Sequence, residues 1–175
     1  QEEGYPIDGL VGRFNDIKYG QSLGSTDHHS KAAYAYKFAD DLYPTTLLDI
    51  EWTMGRTGVL TPVAIFEPVE IEGAIIERAS LHNLSVIKQT LGVPYINQPI
   101  RIFRANMIIP QIYDGEPDEG LMEQVPIVPP MHCPICGAPT EVRDSETTSL
   151  LVCSNPHCEG KFINKLDHFC GKKGL

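Results

Sequence analysis

The sequence predicts a mainly β protein. A five-stranded OB-type Greek-key barrel is expected first, then a small four-cysteine zinc finger, with short flanking helices. Three observations predict this. Apolar residues alternate with polar ones through several stretches between 43 and 113. One helix signal interrupts the strands, as in OB barrels. Four cysteines then follow in two close pairs.

In order, residues 5–14 and 32–38 read as strands. In the second, Tyr34, Tyr36 and Phe38 alternate with Ala33, Ala35 and Lys37. The ring face is expected to be core, and the alanine face leaves room beside Lys37 for a ligand. Leu48, Ile50, Trp52 and Met54 alternate with Asp49, Glu51 and Thr53, which predicts a half-buried strand. Gly55-Arg56-Thr57-Gly58 is a turn. Val59 to Ile71 is β-rich but carries Pro62 and Pro68, so a bent strand or two short ones are expected. A strand follows over 74–81. Asn83 then caps a short helix, Leu84 to Leu91, that stops at Gly92. Strands resume at 100–103 and 108–113. Residues 114–130 hold Pro117, Pro126, Pro129 and Pro130 and read as an acidic linker. Phe162, Ile163, Leu166 and Phe169 recur at helical spacing in a final helix, where Cys170 is expected in the core.

The cysteines are spaced C-x2-C, sixteen residues, then C-x4-C. A Cys-x-x-Cys pair presents two thiolates to one tetrahedral ion from a tight turn. Gly137 supports the first turn and Asn155-Pro156 the second, with a short hairpin between them. Cys133, Cys136, Cys153 and Cys158 are therefore expected to bind one zinc ion. Four thiolates leave no open position, so the ion is structural. Iron in the same cage, or reactive thiols without metal, are the alternatives. His132 and His157 are expected beside the ligands rather than among them.

The net charge of −9 argues against generic polyanion binding, which comes mostly from Lys and Arg. That average hides the acidic run from Asp114 to Glu123. No apolar run approaches the length of a membrane span, and no secretory signal is visible. Five cysteines, four of them clustered, fit a reducing cytosol and a metal site better than disulfides. A cytoplasmic protein with no membrane partner is expected.

Several stretches resemble the bacterial NAD-dependent DNA ligases. Gly55-Arg56-Thr57-Gly58-Val59-Leu60-Thr61-Pro62-Val63-Ala64 and Arg78-Ala79-Ser80-Leu81-His82-Asn83 look like hallmarks of that family's OB domain. Ile7-Asp8-Gly9-Leu10-Val11 and Ala35-Tyr36-Lys37-Phe38 look like the last two nucleotide-binding motifs of its adenylation domain. The cysteine module sits where the family's zinc finger sits, and the last helix resembles the opening of its helix-hairpin-helix domain. Three departures stand out: Gly12, where the family usually has a β-branched residue; Arg13, where it usually has lysine; and Ala105-Asn106-Met107, where its pattern runs Ala-Gly-Asp.

The resemblance implies a ligase that uses NAD, Mg²⁺ and zinc. An active-site lysine takes AMP from NAD, AMP moves to the 5′-phosphate of a nick in double-stranded DNA, and the 3′-hydroxyl seals the strand. It implies nucleotide-phosphate contact for Lys37, and adenylate-site roles for Asp8 and Arg13. The family's nucleophile lies in Lys-x-Asp-Gly. Here the Asp-Gly pairs are Asp8-Gly9 and Asp114-Gly115, preceded by Pro6 and Ile112. The chain is thus expected to be a C-terminal fragment that does not self-adenylate. The expected divisions are an adenylation-domain remnant (1–41), OB domain (42–113), linker (114–130), zinc finger (131–160) and helix-hairpin-helix start (161–175). DNA contacts are expected from Arg56 and Thr57, whose glycine-flanked turn suits a phosphate backbone, and from Arg78 and His82. The turn could instead be an ordinary exposed hairpin, and Arg78 could pair with a neighbouring strand. A non-catalytic OB-fold plus zinc-ribbon module, or a purely structural interaction module, remains the alternative.

Overall fold

The computed structural model describes residues 9–37, 40–105, 108–117 and 124–171. Strands β1 (Gly9–Arg13) and β2 (Ala33–Lys37) form an antiparallel two-stranded ribbon. Helix α1 (Ile17–Ser22) lies between them in sequence, and its first turn is capped by Asp16, whose Oδ1 accepts the Tyr19 N–H at 3.1 Å. The ring face of β2 is not core at its two described rings: Tyr34 and Tyr36 are 69% and 60% exposed, and Phe38 lies outside the described residues. Alternation separates two faces, but among the described residues no second layer covers this ribbon to bury either one. Tyr34 lies across Gly12 instead. A Cβ added there would sit 2.8 Å from the Tyr34 Cζ, so this pairing explains the glycine.

The main sheet contains β3 (Tyr43–Met54), β4 (Val59–Ile71), β5 (Ala74–Ser80), β6 (Gln98–Ala105), β7 (Ile109–Gly115), β8 (Thr140–Asp144) and β9 (Ser149–Cys153). Its order is β7-β6-β3-β4-β9-β8, with β5 also paired to β4. This corrects the barrel expectation. No ladder joins β5 to β7 among the described residues, so the sheet is open. One edge of β4 is divided: β9 takes Val59 and Leu60, and β5 takes positions between Val63 and Ile71. Between the β4–β5 turn and β6, a side chain bridges in place of a ladder. Arg104 Nη1 donates to the Glu72 carboxylate at 3.2 Å and to the Ile71 carbonyl at 3.4 Å.

Burial alternates along β4, where Leu60, Pro62, Ala64 and Phe66 point inward. Ala64 and Phe66 share a buried cluster with Leu47, Ile50, Ile100, Ile102 and Ile112, which Ile87 and Leu91 join from the region of α2 (Leu84–Thr90). The strand is continuous but breaks register between Ile65 and Val69, around Pro68, as a bent strand should. In β3, Ile50, Trp52 and Met54 keep the expected inward phase, but a register shift between Leu47 and Asp49 reverses it at Leu48. Leu47 is buried and Leu48 exposed, because one extra residue exchanges the faces on either side of a bulge. Asn83 caps α2 as expected, with Oδ1 accepting the Val86 N–H at 3.0 Å, and Gly92 follows at φ +71°.

Part of the linker is pinned to the sheet's border. The Ile96 N–H donates to the Val125 carbonyl at 3.0 Å, and the Ile127 N–H to that of Pro94 at 2.8 Å. Helix α3 (Glu159–Cys170) follows the last clustered cysteine. Its apolar stripe is exposed, and so is Cys170, contrary to the core position expected for it. Among the described residues, no helix is long and apolar enough to cross a membrane.

Candidate metal centre and nucleic-acid interface

Two backbone turns build the cysteine site. In the first, the Gly137 N–H donates to the Cys133 carbonyl at 2.9 Å and the Cys133 N–H to that of Ala138 at 2.7 Å. Gly137 has φ +69°, a conformation glycine adopts without steric penalty. In the second, the Asn155 Oδ1 accepts the His157 N–H at 2.9 Å, which closes an Asx turn through Pro156. The hairpin β8–β9 separates the two turns. It brings the four Sγ atoms within 4.8 Å of one another. A tetrahedral thiolate site with Zn–S near 2.3 Å requires S···S edges of about 3.8 Å. The Cys133–Cys158 and Cys136–Cys153 pairs stand at 4.0 and 3.6 Å, so the donor set fits such an ion.

The electrostatics point the same way. Burial pushes the Cys153 thiol up to about 12 and also raises that of Cys158. Cys136 is lowered to about 6, first by a hydrogen bond from the Ala138 backbone. Cys133, Cys153 and Cys158 are almost wholly buried. Several thiolates packed this deeply need a cation to be stable. Neither His132 nor His157 belongs to the set.

The site touches the Gly55–Gly58 turn. Met54 packs on it, its Sδ 3.7 Å from the Cys158 Sγ. The Cys153 N–H donates to the Gly58 carbonyl at 2.9 Å. Gly58 itself has φ +87°. Within the turn, the Gly55 N–H donates to the Val59 carbonyl at 2.8 Å and the Gly58 N–H to that of Gly55 at 2.9 Å. Arg56 and Thr57 project from it, both exposed, and Arg56 has no ion-pair partner among the described residues.

Arg78 differs: it is paired with Glu51, across β4. His82 is exposed at φ +57°, its N–H donating to the Ser80 Oγ at 3.2 Å. On the ribbon, Arg13 pairs with Ala33 and Gly9 with Lys37. Directly opposed residues share a face, so Arg13 and Lys37 lie on one face, roughly 14 Å apart along the strands. Asp8 lies outside the described residues.

Residues 44–120 match the model of the NAD-dependent DNA ligase OB-fold domain. The DNA ligase of Lachnoclostridium phytofermentans is 43% identical over 172 residues, which are 98% of this chain and 25% of that protein. The DNA ligase of Ruminiclostridium cellulolyticum shows the same figures, and that of Thermosipho africanus is 38% identical over 171 residues, again 25% of its length. Residues 44–120 thus match the OB-fold domain of NAD-dependent DNA ligases, and almost the whole chain is similar to curated DNA ligases. It spans about a quarter of the length of these curated relatives.

The open sheet thus carries the sequence that matches the OB-fold model, and the four cysteines converge into a cluster that could hold a metal ion. The turn bearing Arg56 and Thr57 abuts that cluster, while Arg78 stands on β5 and His82 just beyond its end. The sequence reading missed Lys161. Its Nζ donates to the carbonyls of Cys153 at 2.9 Å and Asn155 at 2.7 Å. The signal available was a lysine in the first turn of a helix, where the dipole disfavours a cation. Gly160 was also missed. A Cβ there would sit 2.8 Å from the Met54 Sδ, so the glycine lets α3 approach β3.

Proposed function

We propose that this chain is the DNA-gripping segment of an NAD-dependent DNA ligase that seals nicks in double-stranded DNA in replication and repair. Its cysteine cluster holds one structural zinc ion, and its Gly55–Gly58 turn holds the sugar-phosphate backbone through Arg56 and Thr57. The observation that carries this reading is an exposed Arg56, with no ion-pair partner among the described residues, on a turn fastened to a metal-binding cluster, in a chain aligned along 98% of its length with DNA ligases. Glycines on both sides let the backbone come close, and Arg can hold a phosphate through two parallel hydrogen bonds. The outer face of the sheet is a poorer site, because Asp49 and Glu51 lie there with Arg78. Arg78 and His82 are assigned a lesser share of the contact.

Lys37 and Arg13 are assigned to the nucleotide's phosphates. The face they share carries Gly9, Val11, Ala33 and Ala35 between them, which leaves room for a ligand. Asp8 is assigned to the same site, beside the Mg²⁺ the family uses. The divisions at 41, 113, 130 and 160 belong to this proposal, as do a cytoplasmic, nucleoid-associated location and a monomeric state. The segment contains no Lys-x-Asp-Gly, so by itself it is proposed to bind DNA without taking AMP from NAD. The adenylated lysine belongs to the remainder of the ligase.

One substitution in the full-length protein tests the reading. Arg56→Ala should weaken binding to nicked DNA by roughly 1–3 kcal/mol, the scale of a lost charge-assisted hydrogen bond. The loss should be alike for all nick sequences, since phosphate contacts carry no base information. It should shrink as salt rises. Adenylation by NAD should be unchanged, because that step needs no DNA. If adenylation falls while DNA affinity holds, the turn belongs to the nucleotide site or to folding.

A further inference from the structure

Lys161 sits in the first turn of α3, half-buried, with its stem across the Gly55–Gly58 turn. A Cβ on Gly58 would collide with the Lys161 Cε and sit 2.9 Å from Nζ. Beyond Gly58, the ammonium donates to the carbonyls of Cys153 and Asn155, at 2.9 and 2.7 Å. These carbonyls belong to a metal ligand and to the residue that closes the second cysteine turn. The Cys153 N–H returns a hydrogen bond to the Gly58 carbonyl at 2.9 Å. One lysine therefore spans three pieces of chain: the helix start, the second cysteine turn and the β3–β4 turn.

Its placement needs an explanation. A cation in the first turn of a helix opposes the helix dipole. A lysine free to choose would extend into water, where its ammonium is fully hydrated. Lys161 instead folds back over Gly58, where a Cβ would meet its stem, and spends two of its three donors on backbone oxygens.

We propose that Lys161 is a positioning residue for DNA binding: it fastens the Gly55–Gly58 turn to the cysteine module, so that Arg56 meets the phosphate backbone from a rigid platform. This rests on the reading of Arg56 given above. Beyond its two internal hydrogen bonds, a turn with two glycines is held to the module by one backbone bond, Cys153 N–H to the Gly58 carbonyl, and an arginine on a looser turn loses affinity to the ordering that binding then demands. Lys161 removes that freedom beforehand.

The test uses the full-length, metal-loaded protein and four variants: Lys161→Met, Lys161→Arg, Arg56→Ala and the double variant Lys161→Met/Arg56→Ala. Metal content, affinity for a nicked duplex, and amide exchange at Gly55, Gly58 and Cys153 are measured on each. Lys161→Met should keep its metal, weaken DNA binding about three- to tenfold, and speed exchange at all three amides. Lys161→Arg, which can still donate to both carbonyls, should restore most of the affinity. In the Arg56→Ala background, Lys161→Met should add little further loss, because the two residues act through one contact. A full additional loss in that background would overturn the proposal, since Lys161 would then act on DNA by itself. Unchanged exchange at Gly58 in Lys161→Met would overturn it as well. If Arg56→Ala leaves DNA affinity intact, the reading of the turn fails, and the amide exchange still decides whether Lys161 fastens it. Should Lys161→Met lose its metal, Lys161→Gln, which keeps a neutral donor, is judged by the same criteria.

Discussion

The sheet around β4 and the cysteine module next to it are held together by different forces. The first buries a continuous apolar cluster that includes Leu47, Phe66, Ile71, Leu81 and Ile102. The second has a buried cluster of three cysteines, with Met54, Cys136 and Ala138 packed against it. Each large apolar side chain buried in the sheet contributes about 1.5–3 kcal/mol. The module has no comparable apolar mass, so one ion must supply what many side chains supply in the sheet. The two regions meet where β9 pairs with Val59 and Leu60, directly after the Gly55–Gly58 turn. The turn assigned to DNA thus stands at the junction of the apolar sheet and the cysteine cluster that could hold a metal.

Removing the metal should break the comparison most sharply. Chelation, or Cys153→Ser, should release about 10 kcal/mol of binding free energy from the module, the lower range for four-ligand structural zinc. Amides of β8, β9 and Gly58 should then exchange rapidly, while those of Ala64 and Phe66 stay protected. Equal loss of protection in both regions would show that the sheet does not stand alone. The metal should also leave as pH falls. Burial raises the thiols of Cys153 and Cys158, so without the ion both carry protons at neutral pH. Each must be deprotonated to bind, so affinity falls as protons become available. Cys136, held at about 6, adds its own proton only below that pH. Competition with a chromophoric chelator between pH 8 and 5.5 measures the slope, and a flat profile would contradict thiolate ligation.

Phe66→Ala is the converse experiment. Phe66 is 1% exposed in the centre of the apolar cluster. Its truncation should reduce unfolding free energy by about 3–5 kcal/mol, measured by denaturant titration. Metal content should remain one per chain, because Phe66 pairs with Leu47, six residues along β4 from Leu60, where β9 attaches. Gly58→Ala should fall between the regions and touch both. A side chain at φ +87° costs roughly 1–2 kcal/mol. The new methyl must also displace Lys161, so the loss should appear in the module's amides and in the turn's.

The two regions were also unequally legible in the sequence. The cysteine site could be read because its information is local: two close pairs, a glycine after one and Asn-Pro within the other. The helix from Asn83 to Gly92 was legible for the same reason, since a cap and a stop lie within a few residues. Closure of the sheet was not legible. It depends on which strand takes each part of the β4 edge, and β9, some ninety residues away in sequence, takes the first two positions. Nor was the exchange of Leu47 for Leu48, because a bulge depends on the partner's register. The exposed rings of Tyr34 and Tyr36 show that alternation names two faces without saying which is covered. Lys161 was hidden because its partners are backbone carbonyls, and carbonyls leave no trace in residue identity.

The smallest effect expected is at Arg78, and it bears on which part of the sheet faces DNA. Arg78 and Glu51 are about half exposed, at 49% and 51%. Water screens such a pair, so Arg78→Ala should change stability by no more than about 1 kcal/mol. Its effect on DNA depends on what Glu51 does to it. A phosphate must compete with a carboxylate already in place, and Asp49 adds negative charge on the same face. Glu51→Ala should therefore raise affinity for nicked DNA slightly, by freeing Arg78 and removing a repelling charge. Arg56→Ala has no such counterpart, since among the described residues no carboxylate holds Arg56. Measuring Glu51→Ala, Arg78→Ala and the double variant in the full-length protein, at low and moderate salt, separates the possibilities. If Arg78 is a minor contact, the gain from Glu51→Ala should disappear when Arg78 is also alanine. If the gain persists unchanged, it comes from the lost negative charge alone, and Arg78 is a structural partner of Glu51 and nothing more.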